Sequence, residues 1–190
     1  MKSTRKAKPS LSVDYWHGRT GYKTLMRIDL FNLPAVNLEW IAHRLARTYR
    51  NVGTSPYTVL DHTLAVYNML PQGTSGALRL YVLLHDAAEA FIGDVQSPIK
   101  KLIPAIGKVE AKIHRQLLKL YWPGEVPSAP HLKLLHDLCK VYDTKSYELE
   151  QRLQLGETPV NAVEEFLDCY AKTVKLIEEE AAASPPEENK

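Results

Sequence analysis

Apolar residues recur at helical spacing along most of the chain, but from Leu80 to Leu84 they cover every side of the helix. A helix with a one-sided apolar stripe lies half-buried, whereas one that is apolar all round has neighbours on every face. The pattern predicts a bundle built around a central helix that starts near Thr74 or Ser75 and ends at Gly93, a residue suited to a left-handed helix stop. Set into that helix is the adjacent pair His85-Asp86. Burying two such groups side by side is unfavourable without compensation, and a bound cation is an economical compensation.

The flanking segments follow the same period. Asn37 can cap a helix that turns Leu38, Ile41, Ala42 and Leu45 to one side and stops near Tyr49. Ser55-Pro56 offers a cap and a first-turn proline for a second helix, with Val59, His62, Val66 and Met69 on its apolar line. Beyond the central helix, Ile106 to Tyr121 carries Ile106, Val109, Ile113, Leu117 and Leu120 inward, and Trp122-Pro123-Gly124 ends it. Ser128 and Pro130 open a long helix whose inward line is Leu132, Leu135, Cys139, Tyr142, Asp143, Ser146, Leu149 and Leu153, closed by Gly156. A last helix begins at Thr158-Pro159 and carries Val160, Val163, Leu167, Tyr170, Val174 and Ile177. Apart from a short extended piece at Leu25 to Phe31, no strand pattern competes. The expected fold is all-α: one helical bundle over residues 13–183, preceded by a flexible basic arm over 1–12 and followed by a disordered tail over 184–190.

Polar residues on these apolar lines carry the chemistry. His62, the pair His85-Asp86, and Asp143 come from three separate helices and all fall on core-facing positions. A single core histidine is more often a hydrogen-bonded packing residue than a ligand, so the conjunction carries the reading. Two imidazoles and two carboxylates form a mixed nitrogen and oxygen set with room for water. Such a set suits Co, Mn, Zn, Mg, Fe or Ni in an open site rather than a closed structural zinc. Glu89 lies one turn beyond His85 on the same line, where it can orient or deprotonate a water. Asp137 competes with Asp143 for the fourth position, but its neighbours Lys133, Lys140 and Val141 form a mostly polar face. Cys139, Tyr142 and Ser146 flank Asp143 instead, which makes it the choice. His136 reads as a partly exposed helix histidine.

Composition narrows the setting. With 190 residues, 45% of them hydrophobic, the chain can bury one real core. Cys139 and Cys169 have no paired spacing, which argues against a disulfide framework or a zinc knuckle and for a reducing compartment. No stretch is apolar enough for a signal peptide or a membrane span, so the expectation is a cytoplasmic protein without a membrane partner. A net charge of +2 is too small to point to a nucleic-acid polymer.

Several spaced pieces then stand out: Ile41-Ala42-His43-Arg44-Leu45-Ala46; Arg50 to Gly53; Tyr57-Thr58-Val59-Leu60-Asp61-His62; HDAAEAFIGDVQSPIK from His85 to Lys100; Lys140-Val141-Tyr142-Asp143; and Glu150. From Ile28 to Leu153 the chain resembles the HD-domain phosphohydrolases, specifically the small single-domain members that act on deoxynucleotides in bacteria and phages. The resemblance implies an HD-type helical bundle with His62, His85, Asp86 and Asp143 as metal ligands. It also implies that Glu89 handles the attacking water and that Asp94 supports the site. Lys100 and Lys140 match positions that hold the phosphate chain in phage dATP triphosphohydrolases, and Arg50 matches an arginine lining the nucleotide pocket. Asn51 stands where an aromatic or bulky apolar residue commonly follows that arginine, which passes base stacking to Trp16, Tyr22 or another N-terminal aromatic. The expected activity is metal-dependent hydrolysis of a deoxynucleoside triphosphate, dATP first, with a deoxynucleoside 5'-monophosphatase as the alternative. A non-catalytic nucleotide-binding module is the reading from a different class. The implied partner is a small deoxynucleotide, and the resemblance points to a homo-oligomer.

Overall fold

The computed structural model describes residues 12–13, 28–29, 33, 36–50, 56–152 and 161–183. The chain divides into two units, Met1–Val36 and Asn37–Lys190, a division that falls inside the stretch expected to form one domain. In the first unit, β1 (Ser12–Val13) pairs antiparallel with β2 (Ile28–Asp29), placing Ser12 opposite Asp29 and Val13 opposite Ile28. β2 lies within the extended piece expected over residues 25–31. Asn51, Trp16, Tyr22, Gly156, Thr158-Pro159, most of the N-terminal arm and the C-terminal tail lie outside the described residues.

The second unit is helical throughout its described elements, which establishes the all-α class. In order they are α1 (Leu38–Leu45), α2 (Val59–Asn68), α3 (Gly76–Leu84), α4 (Glu89–Ile92), α5 (Ser97–Leu102), α6 (Pro104–Tyr121), α7 (Ala129–Glu150) and α8 (Ala162–Ala183). As its all-round apolar sequence requires, α3 is the centre of the bundle: it packs against α2, α6, α7 and α8, and residues 80–84 are buried on every side. Its N-terminus comes so close to α8 that only glycine fits. A Cβ on Gly76 would stand 2.5 Å from Ile177 Cγ1 and 3.1 Å from the Ile177 backbone nitrogen, while the Gly76 N–H donates to Glu180 at 3.1 Å. Gly76→Ala is therefore expected to destabilise the bundle by ~1–3 kcal/mol despite its better helix propensity, as thermal unfolding would show.

Two helix boundaries differ from the sequence reading for identifiable reasons. Asn37 caps α1 as expected, its side chain accepting from the Trp40 N–H at 2.7 Å. Helix α2, however, starts three residues after Pro56, because Thr58 and Asp61 form a reciprocal capping box. Pro104 splits the Ser97–Tyr121 region. It drives Ile103 out of helical geometry (φ −124, ψ 77) and leaves α5 as a separate short helix that the periodicity did not reveal. Two inward assignments also shift: Leu118 rather than Leu120 is buried on α6, and Glu150 rather than Leu149 is buried on α7.

The expected single helix from Ser75 to Gly93 is interrupted. Ser75 caps its start and Gly93 (φ 77) ends α4, but residues 85–88 form a tightened turn between α3 and α4. Through this stretch several backbone N–H groups donate to the carbonyl three residues back: Ala87 to Leu84, Glu89 to Asp86, Ala90 to Ala87, and Phe91 to Ala88. This overwound geometry recurs where a functional site interrupts a helix. It lies at the His85-Asp86 pair.

Candidate metal centre

The site is assembled from α2, the tightened turn, α4 and α7. Its first member is held in place by local backbone bonds. The Thr58–Asp61 box starts α2, and the chain entering it is tied back to the end of α1 by the Tyr49–Thr58 bridge and by Val59 N–H donating to Thr48 at 2.8 Å. His62 then falls one turn into α2 on its buried line, fully enclosed at 0% exposure. The same bridge carries Arg50 inward, its N–H donating to the Tyr57 carbonyl.

Around His62 Nε2 the remaining groups converge. Asp143 Oδ1 is 3.1 Å from it and Asp86 Oδ2 3.6 Å, while Asp86 Oδ2 is 3.2 Å from His85 Nε2. His62, His85 and Asp143 offer ligand atoms that all lie within 4.8 Å of one another, so this group can hold a metal ion. Asp86 adjoins both imidazoles. Neither His62 Nε2 nor His85 Nε2 finds a hydrogen-bond partner in the protein although both are buried, so Asp143 is close to His62 without being in hydrogen-bonding geometry. His85 Nδ1–H donates to the Val82 carbonyl at 2.7 Å, which leaves Nε2 as the lone-pair nitrogen. Buried nitrogens without partners, facing carboxylates, fit a divalent cation.

Electrostatics keep the two carboxylate donors ionised. Burial works against the charged form of Asp86, but His85, His62 and Arg50 outweigh it and hold the carboxyl well below the ordinary range. Asp143 is likewise depressed despite burial, by His62 and by Lys140, whose Nζ lies 2.5 Å from Asp143 Oδ2. For His62, burial disfavours the charged ring, yet Asp143 and Glu150 together raise its pKa to about 8.

The centre opens on a cleft of about 520 Å³ lined by Arg50, Asp86, Glu89, Asp94, Lys100, Lys140 and Asp143. Glu89, the first residue of α4, is buried at 4% exposure, and its Oε2 has no partner. Burial, then Asp86 and Asp94, push its carboxyl well above the ordinary value, with Lys100 and Arg50 only partly offsetting them. Asp94 follows the Gly93 stop on the cleft wall. Lys100 Nζ pairs with Glu110 Oε1 at 2.7 Å and reaches to 3.7 Å of Glu89 Oε1. Asp137 is exposed and paired with Lys133 away from the cluster, whereas Asp143 is at its centre. His136 is exposed and lies 3.3 Å from the Tyr81 hydroxyl. His114, given no role by the sequence reading, is half-buried beside Tyr81; desolvation and then His85 lower its pKa to about 4.

The sequence reading assigned no role to Glu150, although it continues the inward line Leu135, Cys139, Asp143, Ser146 by a four-residue step. Its Oε1 accepts from His62 Nδ1 at 2.5 Å and its Oε2 from Arg50 Nε at 3.1 Å. Arg50, expected as a pocket residue, lines the cleft and also bridges Glu150 to Asp86, 3.6 Å from its Nη1.

Fold and site together define an all-helical protein whose His62, His85 and Asp143 can bind a metal ion beside an open cleft. The chain is 33% identical over 150 residues to an uncharacterized protein of Rhodobacter capsulatus, a match that spans 72% of each chain, and it belongs to the same family. It is also 31% identical over 104 residues to the uncharacterized protein YfdR of Escherichia coli, across 54% of this chain and 56% of that one. No family model matches the sequence. Among the described residues, no helix is long and apolar enough to cross a membrane.

Proposed function

We propose that this protein is a divalent-metal-dependent phosphohydrolase acting on a deoxynucleotide. One observation carries the reading: three parts of the bundle gather two partnerless imidazole nitrogens with two ionised carboxylates, and those carboxylates line a cleft that also holds a buried carboxyl and three cations. The deoxynucleotide part rests on the spaced motif from Ile41 to Glu150. His62, His85, Asp86 and Asp143 would hold the ion, which when bound offsets charge on a phosphoryl oxygen and acidifies nearby water.

The chain's own residues account for the proton traffic. Glu89 Oε2 accepts the proton of the attacking water as the water oxygen bonds to phosphorus. The bond from phosphorus to the departing oxygen breaks, and that oxygen takes the proton back from the same carboxyl. Lys100 steadies Glu89 from the Oε1 side, and Arg50 and Lys140 present positive charge to the phosphoryl oxygens from the cleft wall.

The engagement of the cations favours the monophosphate over the triphosphate that the sequence suggested. Lys100 is paired with Glu110, Lys140 with Asp143, and Arg50 with Glu150 and Asp86. Four acids and three cations line the cleft, so a divalent ion brings it close to balance, which suits a dianionic phosphate better than a polyphosphate. A hydrolysis panel with Mn²⁺ or Co²⁺ and product analysis tests this. The expected result is inorganic phosphate and deoxynucleoside from deoxynucleoside monophosphates. Triphosphate released from dATP would establish the second reading. Metal-loaded protein inert toward every nucleotide yet binding them would leave a non-catalytic nucleotide-binding module.

A further inference from the structure

We propose that Glu150 is a positioning residue of the metal centre: it takes the Nδ1 proton of His62 and thereby presents His62 Nε2 to the ion as a bare lone pair. The inference rests on the metal-centre reading above and gives a function to a residue which that reading leaves without one. A neutral imidazole carries a single N–H, so whichever nitrogen is fixed as donor decides which one can bind a metal. An ionised carboxylate only accepts hydrogen bonds. Glu150 Oε1 sits 2.5 Å from His62 Nδ1, on the side of the ring opposite Asp143 and Asp86.

Glu150 is itself held. The Ser146 hydroxyl donates to Oε1 at 3.2 Å from one turn earlier on α7, and Arg50 Nε donates to Oε2 at 3.1 Å. Each carboxylate oxygen thus has a fixed partner, and the group is buried at 8% exposure. Two donors, His62 Nδ1 and Arg50 Nε, point at its oxygens, a geometry suited to an ionised acceptor.

The two imidazoles of the centre are therefore oriented differently. The Val82 carbonyl, a neutral acceptor, receives the Nδ1 proton of His85. A carboxylate performs that task for His62, and a charged acceptor makes the opposite nitrogen the stronger donor. One helix supplies both the Asp143 ligand and the group that orients His62, so the α7 backbone fixes their spacing.

The test uses the full chain with Mn²⁺ or Co²⁺ as the probe. Glu150→Ala removes the acceptor, whereas Glu150→Gln keeps its shape and an accepting oxygen but not its charge. Titration calorimetry should show the metal dissociation constant rising about 10–100-fold in the alanine variant, with partial rescue by glutamine. Nitrogen-15 shifts of the metal-free wild type at about pH 9, well above the ordinary imidazole range, should report the Nδ1–H form. That measurement decides the matter even if a variant does not fold, and a merely structural ion pair with Arg50 would not fix the tautomer. An Nε2–H form in the wild type, or metal affinities of both variants within two-fold of wild type, overturns the proposal. Wild-type protein that binds neither ion overturns the metal centre and this role with it.

Discussion

Glu89→Gln is expected to lower phosphate release by about 10³-fold while metal affinity stays within a few-fold of wild type. The substitution keeps the size of the side chain and an oxygen that can accept from Lys100, but it removes the only acid and base on the cleft wall with a partnerless buried oxygen among the described residues. None of the groups that adjoin His62 Nε2 is altered, which separates the chemistry from the ion. The pH profile follows from the same environment. Burial, Asp86 and Asp94 raise the Glu89 pKa, and a base works only when deprotonated, so activity should fall as pH drops through a value above the usual 4.5. A rate that stays flat well into the alkaline side of that value and then declines as pH falls fits. Unchanged turnover in Glu89→Gln removes this residue from the mechanism.

Asp143→Ala should weaken divalent-metal binding by more than about 100-fold, beyond the loss expected for a residue that only supports a ligand. Its carboxylate is the group closest to His62 Nε2, and removing it also frees Lys140, adding positive charge where the ion would sit. Equilibrium dialysis with Co²⁺ measures this directly. A pH signature accompanies it. In metal-stripped protein the His62 pKa is raised from 6.5 to about 8, so its stabilising charge is fully present below pH 6.5 and is lost as pH rises through 8, a change of about 2 kcal/mol. Asp143, Asp86 and Glu150, all depressed, act the other way and lose their contribution as pH falls below the ordinary carboxylate range. Metal binds the deprotonated ring, so the stabilisation it adds should grow with pH over the interval in which the stripped protein weakens. Denaturant unfolding with and without Co²⁺ should show the two opposite slopes.

Much of this was readable because buried helices leave a period. The all-round apolar run at Leu80–Leu84 located the central helix, and His62 and Asp143 stood out as polar residues on otherwise apolar lines. Glu150, although part of the spaced motif, was given no role for the converse reason. Beside it, Leu149 is the more hydrophobic choice for the same turn, and a charged residue is taken as solvent-facing unless its partner is known. That partner, Nδ1 of His62, lies 88 residues away in sequence. The tightened turn at residues 85–88 was equally hidden. Its side chains suit an ordinary helix, and only the backbone bonds three residues back show how the pair is turned. The engagement of Lys100 with Glu110 and of Lys140 with Asp143 depends on geometry that spacing does not encode, and it shifts the substrate reading from triphosphate toward monophosphate.

The central claim is that one divalent ion sits among His62, His85, Asp86 and Asp143. Crystals grown with Mn²⁺ and measured for anomalous scattering test it most directly. The expected result is a single strong peak per chain within coordination distance of His62 Nε2, His85 Nε2 and an Asp143 oxygen. An empty position there in saturating Mn²⁺, with both imidazole nitrogens bonded to protein or water instead, would contradict it.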